Sequence, residues 1–511
     1  MASRTPRTLA DRLPPAWTAL VALLAGTAGV AGSFAVASFT PAFVAGPIAG
    51  FLARRLPGSV ITFGIVVLGD LGSQLNVVTA LVLSVLLFAG AALAALGLGR
   101  RLDRLVAGPV AAASVAAVAF VVTGALVSSL GAGVATGVVV AVADLVATRG
   151  VPTTLGSESG NPRTERRRVL AAVATALPLA VGGYVLGAQR QRQSSTTEST
   201  VDVGQPWAGP DVDALLAEAT EKSLGVDGLE PLVSDQFYEV DINSTNPTVD
   251  ASEWTLTVTG AVDEEVSYSY ADVATMDPEH RFVSLRCVGE SLNGKKLDNA
   301  LWTGVPIMDL VEPAGVSEGC CVMLRAADGF YEEFPLSALR DGFLAFGMNG
   351  DVLPVGHGYP ARALIPGHWG EINVKWLTEI EILERPEDGY WEKRGWHGTG
   401  PVNTVAKLHV VTDLGDGRKR VAGHAYAGTR GIERVEVSVD GGRTWADATL
   451  SEPLPGTDVW RQWLYSYDRP ADEHEVVVRA TDGTGTLQSR EEASPFPSGP
   501  SGWVSRTVQG R

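Results

Sequence analysis

Residues 281–311 read RFVSLRCVGESLNGKKLDNALWTGVPIMDLV. RFVSLRCV is short, apolar and bounded by a glycine- and serine-bearing stretch, which predicts a buried strand ending at Cys287. VPIMDLVEPAG (305–315) predicts a helix stopped by Pro313, because proline lacks the backbone donor a continuing helix needs. Upstream, WTLTVTGAV (254–262) alternates with period two and predicts a strand, and SYADVATM (269–276) a short helix. Downstream, CVMLRAADGF (321–330), YEEFPL (331–336) and VKWLTEIEILE (374–384) predict strands, with PLSAL (335–339) a helix start. Strands mixed with short helices over 236–388 indicate an α+β domain.

Composition changes after the acidic turn at 384–389. VAKLHVVTDL, KRVAGHAYAG, IERVEVSVD, TWADATL, VWRQWLYSYD, HEVVVRATDG and WVSRTV predict seven short strands between turn signals. Asp440-Gly441-Gly442 is a strong hairpin signal, since glycine accepts the positive φ of a tight turn. Residues 389–511 therefore read as an all-β, immunoglobulin-like sandwich, without the paired cysteines of true immunoglobulin domains.

The front of the chain is different material. Residues 1–199 hold 15 Arg, no Lys and 7 acidic residues, net +8, whereas the remainder is net −25. Five apolar stretches are candidate membrane spans, at 17–38, 76–98, 105–128, 130–147 and 169–187, giving an all-α transmembrane bundle over 1–187. Between the first two, 42–71 is broken by Arg54, Arg55, Pro57 and Gly58 and reads as interfacial or re-entrant helices. Arg4, Arg7 and Arg12, then Arg100, Arg101 and Arg104, then Arg149, Arg163 and Arg166 to Arg168 would be cytoplasmic by the positive-inside rule. Five spans then put everything after residue 188 outside the cytoplasm, in a multi-pass cell-membrane protein with lipid as a partner. Arg167, Arg168 and Leu170 ahead of the last span read either as an internal twin-arginine export signal or as a plain positive-inside anchor. Residues 188–235 read as a polar, mobile linker.

Several classes are excluded. The acidic back end lacks the clustered cations that nucleic acid requires. Three cysteines, Cys287, Cys320 and Cys321, make no disulfide framework, zinc ribbon or iron–sulfur ligand set. No C-x-x-C-H occurs and the spans contain no His, so covalent c-type haem and bis-histidine b-type haem are not expected, and no flavin motif is visible.

FYEVDINSTNPTVDASEWTLTVTGAV, LRCVGESLNGKKLDNALWTGVPIMDLV and FLAFGMNGDVLPVGHGYPARALIPGHWGEINVKWLTEIEIL, in that order, resemble the successive blocks of the sulfite oxidase-type molybdopterin domain. VEVSVDGGRTW and VWRQWLY are similar to the dimerisation domain of that family. The multi-span front resembles that of a membrane-bound prokaryotic branch.

The resemblance implies a molybdenum–molybdopterin cofactor with Cys287 as the one protein ligand to the metal; a soft thiolate suits that role. His357, Arg362 and Lys375 match positions that hold the cofactor's phosphate and pterin, with Asn243 and Asn373 as further pterin contacts. Trp302 would pack near the metal, and Arg461 would reach from the dimerisation domain toward an oxyanion substrate. A homodimer and an external electron-transfer partner are implied as well. Phe346 stands where sulfite oxidases carry their active-site tyrosine, and Val288-Gly289-Glu290-Ser291 replaces their arginine-rich stretch. The expected activity is two-electron oxygen-atom transfer, in the sulfite oxidase direction or as a sulfoxide or N-oxide reductase. The competing class is a non-catalytic membrane-anchored receptor or adhesion module, which would leave the cofactor residues without a purpose.

Overall fold

The computed structural model describes residues 16–99, 106–148, 162–193, 201–316 and 319–510. The arginines expected to set orientation at positions 4, 7, 12, 100, 101, 104 and 149 lie outside these residues. The chain groups into two units. One comprises 1–56, 71–196 and 242–248; the other comprises 57–70, 197–241 and 249–511.

The first unit is helical: α1 (Ala16–Ala37), α2 (Ala45–Arg55), α4 (Asp70–Gly99), α5 (Ala107–Thr123), α6 (Leu126–Thr148) and α7 (Pro162–Gln193). α3 (Gly58–Phe63), continued by a π-helical turn Gly64–Leu68, leaves α2 at a 112° bend and counts with the second unit. Four of these helices are long and apolar enough to cross a membrane, and α5 is a shorter apolar helix. α5 stops short of the expected residue 128 because Gly124 takes a left-handed φ of 68°. α7 overruns the expected 169–187 at both ends, since its Arg-, Glu- and Gln-rich flanks are good helix formers. Small residues let the helices approach closely. A Cβ on Gly131 would lie 2.6 Å from the Gly32 carbonyl oxygen, and Thr136 Oγ1 donates to the Ala25 carbonyl at 3.1 Å.

The second unit begins with a correction. Residues 201–235, expected to be a mobile linker, are packed: α8 (Pro210–Lys222) buries Val212 and Ala219, seven residues apart on one face, and Trp207 and Leu232 are buried too. Their few apolar residues are diluted among polar ones, which hid the pattern.

Ten strands follow: β1 (Thr255–Gly260), β2 (Val266–Ser269), β3 (Glu279–Arg286), β4 (Leu297–Pro306), β5 (Cys321–Ala326), β6 (Tyr331–Pro335), β7 (Phe343–Met348), β8 (Asp351–Val352), β9 (Arg362–Leu364) and β10 (Leu377–Leu383). One sheet runs β2-β1-β10-β5-β6, with β1 and β10 parallel; the other runs β3-β4-β7-β8, with β9 on β7. Leu256, Val258 and Ile380 of the first sheet share one apolar core with Val283, Trp302 and Phe343 of the second. Cys320 and Cys321, expected only to begin a strand, are disulfide-bonded to each other.

The terminal region forms two antiparallel sheets. β11 (Val405–Ala406), β13 (Arg418–Tyr426), β17 (Arg461–Asp468) and β16 (Thr449–Leu450) make one, with β12 (Val410–Asp413) on β13. β15 (Ala446–Asp447), β14 (Ile432–Ser438), β18 (His474–Asp482) and β19 (Val504–Val508) make the other. Val421 and Trp463 from one sheet pack with Val435 and Val478 from the other.

Candidate active site

Cys287 stands at the end of β3, where its backbone N–H donates to the Lys296 carbonyl at 2.9 Å and closes the loop into β4. It is the free cysteine of the chain. Burial, with Glu290 adding to it, pushes the thiol up to about 11, so without a cation beside it the sulfur keeps its proton.

The loop is braced by a buried ion cluster. Arg286 Nε donates to Glu290 Oε1 at 3.0 Å, Lys407 Nζ to the same oxygen at 2.5 Å, and the Lys296 backbone to Glu290 Oε2 at 2.9 Å. Burial alone would raise the Glu290 carboxyl, but Lys407 and Arg286 hold it below its ordinary value. Arg286 and Lys407 are therefore spent on Glu290, while Lys296, in the loop itself, lowers the thiol and partly offsets its burial.

A second group gathers around Arg362 at the start of β9. Its Nη1 donates to the His357 carbonyl at 3.1 Å and its Nη2 to the Asn373 carbonyl at 2.9 Å, while its buried Nε has no partner among the described residues. The guanidinium lies over the Trp302 ring at 5.2 Å. Burial lowers Arg362 to about 10. Lys375 Nζ ion-pairs with Asp241 at 2.5 Å and donates to the Gly356 carbonyl at 2.8 Å. The backbone crosses tightly here: Gly358 has φ 115°, and a Cβ on it would stand 3.0 Å from the Arg362 Cβ and 3.1 Å from the Lys375 Cα. His357 is driven down to about 3 by burial, then by Arg362 and Lys375, which leaves its imidazole neutral. A neutral imidazole, a buried guanidinium with an orphaned N–H, and a lysine form the donor set that a phosphate tail requires. The residues fit a phosphate-tailed pterin.

Tyr238 relates the two groups, because its phenol, raised by burial, senses Cys287, Asp298 and Arg362 together. Its backbone N–H donates to Asp298 Oδ2 at 2.9 Å. Sequence reading passed over Tyr238 and Asp241, although both stand in FYEVD at the head of the first family-like block.

Other expected residues are placed differently. Asn243 groups with the helical unit, where it accepts from Arg54 Nη1 at 3.0 Å; the paired polar residue beside Lys375 is Asp241, two positions earlier. Asn373 spends its side chain internally, accepting from Ile365 N at 2.6 Å and donating to the Trp369 carbonyl at 2.9 Å, so it shapes the loop under Arg362. Trp302 is fully buried and donates to the Val283 carbonyl, a platform beneath Arg362. Arg461 donates to the Ser451 carbonyl and lines a cleft of about 270 Å³ with Thr429, Arg430, Leu454 and Thr457; none of the other expected residues lines it. It is the preceding residue, Trp460, that packs in one apolar cluster with Phe282 of β3, its backbone N–H donating to Ser284 Oγ at 3.0 Å. Phe346 is fully buried in β7.

Among known proteins, residues 243–391 match the oxidoreductase molybdopterin binding domain and residues 402–494 the Mo-co oxidoreductase dimerisation domain. The chain is similar to NADH nitrate reductase of Solanum lycopersicum, 25% identical over 47% of this chain and 34% of that protein. It is 27% identical to mitochondrial sulfite oxidase of Mus musculus over 47% of this chain and 54% of that protein. Against sulfite oxidase of Arabidopsis thaliana it is 24% identical over 50% of this chain and 81% of the relative. The chain thus spans from about a third to just over half the length of the first two. Among solved structures, the sulfane dehydrogenase SoxCD from Paracoccus pantotrophus aligns with a TM-score of 0.46 at 21% identity, over 62% of this chain and 94% of that one. Residues 243–391 and 402–494 are thus a molybdopterin-binding oxidoreductase domain of the sulfite oxidase type followed by its dimerisation domain.

Proposed function

We propose that the protein is a membrane-anchored molybdenum-cofactor oxidoreductase acting on a small sulfur oxyanion or S-oxide outside the cytoplasm. The observation that carries the reading is a lone free thiol at the end of β3, related through Tyr238 to a buried Arg362 that ion-pairs with no carboxylate among the described residues. Cys287 would bind the metal, and Arg362, Lys375 and His357 would hold the cofactor's phosphate tail. When bound, the cofactor supplies two-electron oxygen-atom exchange. The chain's own work is to fix the thiol's direction through the loop braced by Glu290, to keep His357 neutral, and to exclude water with Trp302, Trp369 and Trp396.

In this reading the helical unit is the anchor, with the bent α2–α3 pair re-entrant, and the terminal β region is an immunoglobulin-like sandwich that joins two copies. An external partner carries the electrons.

One observation favours the reductase direction on a neutral S-oxide over oxidation of sulfite. Arg286 and Lys407 are tied to Glu290, and Arg461 lines a cleft that contains none of the other site residues. Of the cations around Cys287, that leaves Lys296, which acts on the thiol, to meet a dianion.

The test is metal and pterin analysis of the purified protein beside Cys287→Ser. Wild type should carry one molybdenum and one pterin per chain, and the serine variant should lose turnover, most of its metal, or both. Wild type without molybdenum rejects the proposal. Sulfite, methionine sulfoxide and trimethylamine oxide, each assayed with artificial electron dyes, then decide the direction.

A further inference from the structure

The loop that presents Cys287 is covered by residues from far upstream. Residues 57–70 count with the second unit although they stand in sequence between two membrane-type helices. Ile65 Cγ2 lies 2.7 Å from where a Cβ on Gly289 would sit, with Trp396 Cη2 at 3.6 Å and Cys287 Sγ at 3.9 Å from the same point. At its other end, Gly58 sits against Arg394, whose carbonyl oxygen is 3.2 Å from the position of a Gly58 Cβ. Ile65 and Val66 pack on the cluster that contains Val288, Trp369 and Trp396.

Gly289 is not among the residues with positive φ. Glycine is needed there for the closeness of Ile65, since any side chain would collide with the isoleucine methyl. The π-helical turn Gly64–Leu68 carries Ile65 and Val66 against this cluster, while Val60, Phe63 and Val67 remain exposed. Trp396, whose Cη2 approaches the same point, is buried with an indole N–H that has no hydrogen-bond partner among the described residues. A buried donor without an acceptor is costly to maintain, and a ligand oxygen would satisfy it.

We infer that residues 58–68 form one wall of the substrate pocket, and that Ile65 limits the size of the group admitted beside Cys287. The inference rests on the proposed role of Cys287 as the metal ligand, and it assigns a specificity-determining residue to a segment that sequence position alone would give to the anchor. Hydrophobic pockets discriminate one or two carbon atoms by about 10- to 200-fold, so shortening Ile65 should be visible in substrate preference.

The experiment uses the full-length, cofactor-loaded protein in detergent, with Ile65→Ala and Ile65→Val compared against Val67→Ala on the exposed side. Hydrogen exchange of the amides at 287–290 should rise about tenfold in Ile65→Ala, less in Ile65→Val, and stay unchanged in Val67→Ala. The ratio of kcat/KM for methyl phenyl sulfoxide to that for dimethyl sulfoxide, with reduced viologen as donor, should rise about tenfold in Ile65→Ala alone, through KM. Equal exchange in all three variants, or an unchanged size preference in an active enzyme, overturns the inference. If molybdenum-replete wild type reduces neither sulfoxide, the reductase reading fails, and the exchange measurement still decides whether the wall exists.

Discussion

Glu290 is one carboxylate between two buried cations, and removing its charge should cost more than any single hydrogen bond. Glu290→Gln leaves Arg286 and Lys407 facing each other without an anion, and breaking such a buried pair costs about 3–5 kcal/mol. Chemical denaturation at neutral pH should show that loss, and metal analysis should show lower molybdenum retention. The sign with pH follows from the carboxyl being held below its ordinary 4.5 in the fold. Its contribution is complete above that value and disappears as pH falls through the folded value, so the gap between wild type and Glu290→Gln should close in acid. At this scale the proposed site was unevenly legible in the sequence. Cys287, His357, Arg362 and Lys375 stand out because their residue types and blocks are distinctive. Glu290 was read only as a missing cation, because its partner Lys407 lies 117 positions away in another region. Tyr238 and Asp241 act through burial and an ion pair, neither of which leaves a local pattern.

Strands were legible where alternation and turn residues agree, as in β1, β3 and the terminal region. α8 was not, since Val212 and Ala219 give only two buried positions among acidic neighbours. Pairing was less legible still. β4 carries Trp302 and the far end of the Cys287 loop, and its register with β7 shifts between Thr303 and Gly304. A Cβ on Gly304 would collide with the Leu344 carbonyl oxygen and stand 2.7 Å from its carbon. Gly304→Ala should therefore spread β4 from β7 and lower stability by about 1–3 kcal/mol, measured as a shift in the denaturant midpoint. An unchanged midpoint would mean that the bulge can absorb a methyl group.

For the whole molecule, charge and hydropathy separated an apolar, arginine-bearing front from an acidic back, and the helical unit follows that division. What they could not show is that the chain exchanges segments between the two: 57–70 counts with the second unit and 242–248 with the first. No residue count or periodicity encodes that return. With α1 and α4 to α7 as five crossings, alkaline phosphatase fused after residue 195 should be active, and fused after residue 150 inactive. The reverse pattern in intact cells would invert the proposed orientation.

The short excursion at 57–70 bears on how such an enzyme is usually handled. Cutting a catalytic part free of its anchor is a common route to a tractable, water-soluble remnant, and with the helical unit as the proposed anchor that cut would fall ahead of residue 201. Here that cut would discard Ile65 and Val66 and bare the apolar surface around Val288 and Trp396 to solvent. The excised piece should bind apolar dyes and clump where the intact chain does not.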